Sequence, residues 1–330
     1  SKSKEIVNQS DDIITIKAFV SENLPGQLVS IRESLENTLE QYDQTGGNQV
    51  KVKWLDPNED EDALNEARSL GIAPIRFSSV EQDQFQVTQG YFGLAVFYAG
   101  EKEVIPALQE INNLEYRLTS TIKRLQQDEL PRIGFSTGSE ERTDLQRIKQ
   151  ALQVNYQTTN LDLTAEELEE NELNNLNGLI IAGPKKEFGE TTKQRIDQLI
   201  HAQKGVIMLL DQVNITQTMQ PEALSLNLND LLNHYGFNLK NQLVQDQSAT
   251  LANFQINQRP IIVPYPLWVK SQPENRNKEL PPTSPLKSIV FPWVSPLELS
   301  KNSQSLWTSS SKSMGLEEYT NINPTQEWSW

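Results

Sequence analysis

The chain contains no cysteine. That removes disulfides, thiolate nucleophiles and zinc–thiolate sites together. Histidine is almost absent too: His201 and His234 are the only two, far apart and outside any HExxH pattern, so a catalytic triad or a His-rich metal centre has little to build on. No apolar run approaches the roughly 20 residues that a membrane helix needs. The opening "SKSKEIVNQS" has neither a signal-peptide pattern nor an initiator Met, so the natural protein is expected to extend beyond these residues. Net positive charge is missing as well. At −15, the chain is not expected to bind nucleic acid or anionic lipid, which require clustered Lys and Arg.

What is present is strand–helix alternation over 330 residues, long enough for two domains. Ile13 to Val20 is a nearly continuous apolar run, typical of a central strand. The next helix carries Leu28, Ile31, Leu35, Leu39 and Tyr42 on one stripe and ends at Gly46 and Gly47. "VKVKWL" alternates as a half-covered strand, and "DPNEDEDALNEARSLGI" starts a helix with acids at its positive end. "APIRFSSV", "QFQVTQ" and "YFGLAVFYAG" read as further strands, followed by a helix with Ile111, Leu114, Leu118, Ile122 and Leu125. This order resembles the thioredoxin fold, with Pro74 as the candidate cis-proline before the third main strand. At the redox position stands "SENLP", which has no thiol, so thioredoxin-like redox chemistry is excluded.

The reading places a thioredoxin-like domain at 1–128 and a second α/β domain at 129–330. In the second, strands at Arg132 to Phe135, "NYQTTNLDL", "GLIIAG" and "GVIMLLD" alternate with helices. The last helix is expected to carry Leu224, Leu228, Leu231 and Leu232. Such alternation implies a parallel sheet covered on both faces, with ligands beyond the carboxyl ends of its strands. From about Leu251 prolines crowd the chain, among them Pro260, Pro264, Pro266, Pro281, Pro282 and Pro285. Trp268, Trp293, Trp307 and Trp328 also fall here. Proline at this density favours edges and loops, so this stretch reads as an extension wrapped on the second domain.

The candidate ligand or partner-binding residues sit at strand ends. "GFSTGSEERTD" brings Thr137, Gly138 and Ser139 before a helix start; it is neither GxGxxG nor a P-loop, and a capped turn explains it as well. "IIAGPKKEFGE" gives Gly183, Pro184 and Lys185, either a plain strand exit or a basic loop for an anionic ligand or partner. Asp211 ends another strand, as a ligand for a hydroxyl or metal or as an ordinary turn residue. "DPNEDED" opens like a calcium loop but has Glu61 where glycine belongs and Ala67 where the bidentate Glu belongs, so helix capping is the better reading. No catalytic, metal or cofactor site is assigned.

Taken together, "ITIKAFVSENLP", "VKVKWLDPNEDEDALNEARSLGI", "LEYRLTSTIKRL", "RIGFSTGSEE", "GLIIAGPKKEFGE" and "GVIMLLDQV" resemble the extracytoplasmic region of gliding-motility-type ABC-transporter auxiliary components, the GldG-like family. The resemblance implies a membrane-anchored protein on the periplasmic or cell-surface side, docking on an ABC permease without catalysing a reaction. It implies a second domain similar in layout to flavodoxin- and amidotransferase-like folds, here without the nucleophilic cysteine. Two alternatives remain from the residues. One is a carbohydrate-binding module resting on the tail tryptophans and the strand-end loops around Thr137, Lys185 and Asp211; the other is a carboxylate-based hydrolase.

Overall fold

The computed structural model describes residues 2–8, 10–22, 26–81, 84–108, 114–127, 129–256, 259–280, 283, 286–300, 303–319 and 321–328. Asn23, Leu24, Pro25, Ile111, Pro281, Pro282 and Pro285, and the side chain of Leu28, lie outside the described residues. The chain is a mixed α/β protein that divides into two units, Ser1–Leu130 and Pro131–Trp330. No helix among the described residues is long and apolar enough to cross a membrane.

The first unit runs α1 (Lys2–Asn8), β1 (Ile14–Val20), α2 (Gly26–Gly46), β2 (Val50–Leu55), α3 (Glu61–Ser69), β3 (Ile75–Glu81), β4 (Gln84–Gly90), β5 (Phe92–Tyr98), β6 (Glu101–Ile105) and α4 (Leu114–Leu125). Its main sheet has the order β2-β1-β5-β6, with β1 and β2 parallel and the remaining pairs antiparallel. Period-two alternation sends Ile14, Ile16 and Ala18 to one face of β1, against Leu35 and Leu39 of α2 and Leu118 and Ile122 of α4. Phe19 points to the other face, against Ala67 of α3, Ile72 and Ala95. Burial on both faces explains the nearly continuous apolar run, and each large side chain taken out of water there is worth about 1.5–3 kcal/mol. Asp60 caps α3, its carboxylate accepting from the Asp62 N–H at 2.9 Å, so the acidic run "DPNEDED" is a helix start.

The strand after Pro74 departs from expectation. β3 pairs only with β4, in a hairpin of its own, and β5 takes the place beside β1. The residues explain this. β5 ("FGLAVFY") is apolar enough for a position buried on both faces, whereas β3 ("IRFSSVE") carries Arg76, Ser78, Ser79 and Glu81. Pro74 is also not cis, because no cis peptide bond occurs among the described residues. It introduces a hairpin outside the main sheet, where nothing demands the rarer isomer.

The second unit begins with β7 (Arg132–Thr137), α5 (Gln146–Leu152), β8 (Gln157–Asp162), α6 (Glu170–Asn174), β9 (Gly178–Ala182), α7 (Glu190–His201) and β10 (Gly205–Leu209). The four strands form a parallel sheet of order β10-β9-β7-β8. Its order reverses at β7, which lies between β8 and β9. On one face Leu179 and Ile181 meet Ile196 and Leu199 of α7 and Leu226, Leu228 and Leu232. The other face is covered unevenly. Lys149 of α5 lies 4.6 Å over the Phe135 ring and reaches Asn160. Ile207 and Leu209, on the same face of β10, are 55% exposed. The expected two-sided cover fails here because the chain leaves β10 for a hairpin of β11 (Val213–Ile215) and β12 (Pro221–Ala223), with no helix among the described residues returning over β10.

The predicted helix through Leu224 and Leu228 begins later. α8 spans Asn229–His234; the residues before it are irregular, with Asn227 at φ +53° and Leu226 and Leu228 buried. "LSLNLN" alternates with period two, and burial follows it, with Ser225 and Asn227 exposed between the leucines, so these leucines do not form a helix stripe. Beyond α8 come β13 (Phe237–Leu239), β14 (Leu243–Asp246), β15 (Ala249–Ile256), β16 (Arg259–Lys270), β17 (Val290–Pro292), β18 (Leu297–Leu299) and β19 (Ser313–Leu316). β18 returns to pair with β13 and β19 with β14, while β15, β16 and β17 form their own sheet. The extension is therefore stitched to residues just after α8. Its aromatics make a core of their own. Tyr265 is fully buried among Phe254, Trp268, Trp293 and Trp328 at centroid distances of 4.9 to 6.4 Å. Those tryptophans are packing groups and not an exposed stacking platform.

Candidate functional site

The carboxyl ends of β7, β9 and β10 lie side by side, and the loops leaving the first two are joined. The Ser139 carbonyl accepts from Lys185 N–H at 2.9 Å and Lys186 N–H at 3.0 Å, and Arg142 N–H donates to the Ala182 carbonyl at 2.9 Å. Thr137, Gly138 and Ser139 thus meet Gly183, Pro184 and Lys185, as two of the sequence-level candidates. Gly138 has φ +108°, and a Cβ there would collide with the Asp162 carboxylate and the Thr164 hydroxyl. Gly183 has φ +56° and donates its N–H to Leu209, tying β9's exit to β10. Both turns need left-handed backbone, which glycine supplies without a Cβ clash.

The first loop already holds a carboxylate. Glu141 accepts from Ser136 Oγ at 2.5 Å and from the Ser139 N–H at 2.8 Å, and Ser139 is buried. An incoming anion would have to displace this internal acid. Lys185 is exposed, while Lys186 pairs with Glu140 at 2.9 Å on the surface. Asp211 does not join these loops. Its carboxylate accepts from the Ser295 N–H at 3.1 Å, and Ser295 Oγ accepts from the Gln212 N–H at 2.9 Å. Burial pushes the Asp211 carboxyl above its usual range. Asp211 is an anchor for the C-terminal extension.

In the first unit, the loop after β1 is filled in a comparable way. Ser21 is fully buried; its Oγ accepts from the Tyr91 N–H at 2.9 Å and from Asn58 Nδ2 at 3.0 Å. Asp56 accepts from the Glu22 and Asn58 N–H groups at 2.7 and 2.8 Å. The "LDP" stretch is thus a brace for that loop. The two histidines flank Tyr235: His201 Nδ1 is 3.4 Å from its hydroxyl, and the His234 ring packs on it edge-on. That hydroxyl donates to Asp197 at 2.6 Å, and burial together with this carboxylate pushes the phenol up to about 12. No group of three or more His, Asp or Glu residues placed to hold a metal occurs among the described residues.

The sequence reading missed a cavity of about 610 Å³, lined by the start of α7 and the segment before α8. Lys193, with 7% of its side chain exposed, sits at its edge and bridges Glu190 and Asp230, each at 2.6 Å. Hydrogen bonds to Asp230 and then Glu190 raise the lysine's pKa, and the lysine in turn lowers that of Asp230. The wall opposite carries Gln212, Ser225, Asn227 and Asn241. The available signal was the alternation in "LSLNLND", which buries leucines and presents Ser225, Asn227 and Asn229 together on the other side. A smaller cavity, about 120 Å³, lies beside β7 between Arg142, Lys149 and Asn160.

Comparison with known proteins adds the following. Residues 130–329 match the family described as an ABC-type uncharacterized transport system, and residues 1–97 match a domain of unknown function, DUF7088. A curated protein of Borreliella burgdorferi, described as "Uncharacterized protein", is 24% identical over 314 residues, covering 91% of this chain. The chain spans about three-fifths of that relative's length, 59%. Among solved structures, one titled "mmIFT52 N-terminal domain" is similar with a TM-score of 0.43 and 17% identity, over 56% of this chain and 75% of that one.

Proposed function

The chain belongs to the family described as an ABC-type uncharacterized transport system, and from that premise we propose that it is an extracytoplasmic, non-catalytic auxiliary subunit of an ABC-type transporter. It is held at the membrane by segments outside these residues and works by docking on the permease or another membrane subunit. The observation that carries the reading is the family match over residues 130–329. The loop geometry supports it. At three strand ends where α/β enzymes place reactive groups, polar side chains are spent on the protein itself: Glu141 on Ser136 and Ser139, Asp211 on Ser295, Ser21 on Tyr91 and Asn58.

The strand order β2-β1-β5-β6 supports a thioredoxin-like reading of the first unit, and the parallel order β10-β9-β7-β8 a flavodoxin-like reading of the second. Both would then be enzyme scaffolds reused as surfaces. A role in gliding motility is the narrower form of the same proposal. These 330 residues contain no cysteine, so an introduced one can test placement against the unsubstituted full-length protein as control. Lys185→Cys, at an exposed position, is expected to react with a membrane-impermeant maleimide in intact cells when carried by the natural full-length protein. The same tagged protein should co-purify with an ABC permease from solubilised membranes. No labelling without lysis, or recovery of the protein without any permease, would contradict the reading.

A further inference from the structure

The cavity beside Lys193 has features the docking role does not use. Gln212 is 8% exposed, lines the cavity, and makes no side-chain hydrogen bond among the described residues. Asn229 also lines the cavity; its Nδ2 donates to the Leu239 carbonyl at 3.2 Å, but its Oδ1 is buried with no hydrogen-bond partner among the described residues, which carries a desolvation cost. The cost is relieved if a ligand donates to that oxygen. The Ser225 hydroxyl is likewise without a hydrogen bond among the described residues, and so are Asn227 Oδ1 and Asn241 Nδ2. Asn227 instead donates to the Phe188 carbonyl at 3.2 Å, and Asn241 accepts from Tyr319 at 2.7 Å. The wall therefore offers donors and acceptors in alternation. A hydroxyl is both at once, so vicinal hydroxyls match such a wall better than a phosphate or an ammonium does.

Charge narrows the ligand further. Lys193 faces two carboxylates, Glu190 and Asp230, so the rim carries a net negative charge that disfavours anions. The bridging ammonium holds the Asp230 carboxyl below its usual range, so that carboxylate serves as a hydrogen-bond acceptor. Ala223 and Leu224 add an apolar patch for the C–H face of a ring. The volume, about 610 Å³, lies within the range of small-molecule sites. We propose that this cavity binds a neutral polyhydroxylated solute of mono- or disaccharide size. The proposal concerns a different surface from the tail tryptophans and stands apart from the docking reading, so either can fail without the other.

The test is isothermal titration calorimetry of the 330-residue chain with glucose, galactose, N-acetylglucosamine and maltose, and with glucose 6-phosphate as the charged counterpart. At least one neutral sugar is expected to bind saturably and more tightly than the phosphorylated one. Gln212→Leu, which keeps the volume and removes the amide, should weaken that binding about ten-fold. Ser225→Trp, at an exposed rim position, should abolish it by filling the cavity while leaving the melting temperature unchanged. Ser225→Trp decides the matter if Gln212→Leu proves unstable. The proposal is overturned by no saturable binding of any neutral sugar, by preference for the phosphorylated sugar, or by binding that survives Ser225→Trp.

Discussion

Replacing Gly138 with alanine tests the reasoning about the strand-end loops quantitatively. Two costs add at this position. The backbone sits at φ +108°, where a residue with a Cβ is strained, worth about 1–3 kcal/mol. The new methyl also lands on the Asp162 carboxylate and the Thr164 hydroxyl. Those groups cannot simply swing aside. Asp162 accepts from the Thr164 N–H at 2.8 Å and its hydroxyl at 2.6 Å, and these bonds hold the Asp162 carboxyl below its usual range. Relieving the overlap costs roughly another 1–3 kcal/mol. The sum, about 2–6 kcal/mol, corresponds to a fall in melting temperature of roughly 4–24 °C for a unit of this size. The control is Gly205→Ala, where φ is not left-handed and the nearest neighbour of a Cβ, the Asn177 carbonyl oxygen, is 3.9 Å away. It should stay within about 1 kcal/mol of the parent. Thermal unfolding followed by circular dichroism reads both. Equal melting temperatures for the two variants would refute the argument that the loop's geometry demands glycine.

Other outcomes follow from buried groups. Asp211→Asn should be more stable than the parent at neutral pH. The raised carboxyl means that folded Asp211 costs stability once ionised, a cost that appears as pH rises above the ordinary carboxylate range and is absent below about pH 4. Chemical denaturation at pH 7 and pH 3.5 should show the gain only at the higher pH, and a gain at both would point to another cause. Tyr265→Phe removes a hydroxyl that donates to the Ile322 carbonyl at 2.7 Å and accepts from Trp293 at 3.3 Å, so it should cost about 1–3 kcal/mol. Burial pushes that phenol to about 12. Folding therefore keeps its proton longer, and the parent should lose stability between pH 10 and 12 more steeply than the variant. Parallel curves would remove this assignment.

Much of the scaffold could be read from the chain because burial leaves a periodic trace. The run Ile14 to Val20 announced a strand covered on both faces, and Leu35, Leu39 and Tyr42 marked one stripe of α2. The failures have physical causes as well. A polar hairpin and an apolar strand follow one another after Pro74, and the choice of which joins the sheet depends on burial at β1, not on position along the chain. The leucines at 224, 226 and 228 fit a helix stripe only if Leu226 is overlooked. Strand-end loops were correctly located, since Gly138 and Gly183 are conspicuous. That Glu141 would fill the first loop, and that Asp211 would anchor a segment more than 80 residues away, depends on long-range hydrogen bonds that no local pattern carries. The cavity at Lys193 was invisible for the same reason: its walls come from α7, the residue after Asp211, and the stretch before α8.

A docking subunit of a transporter must travel with its complex. Native mass spectrometry of the transport complex purified through its ATP-binding subunit measures this. The full-length form of this protein is expected at fixed stoichiometry with the permease. A complete complex of permease and ATP-binding subunits that lacks it, with this protein recovered only as a free species, would contradict the claim.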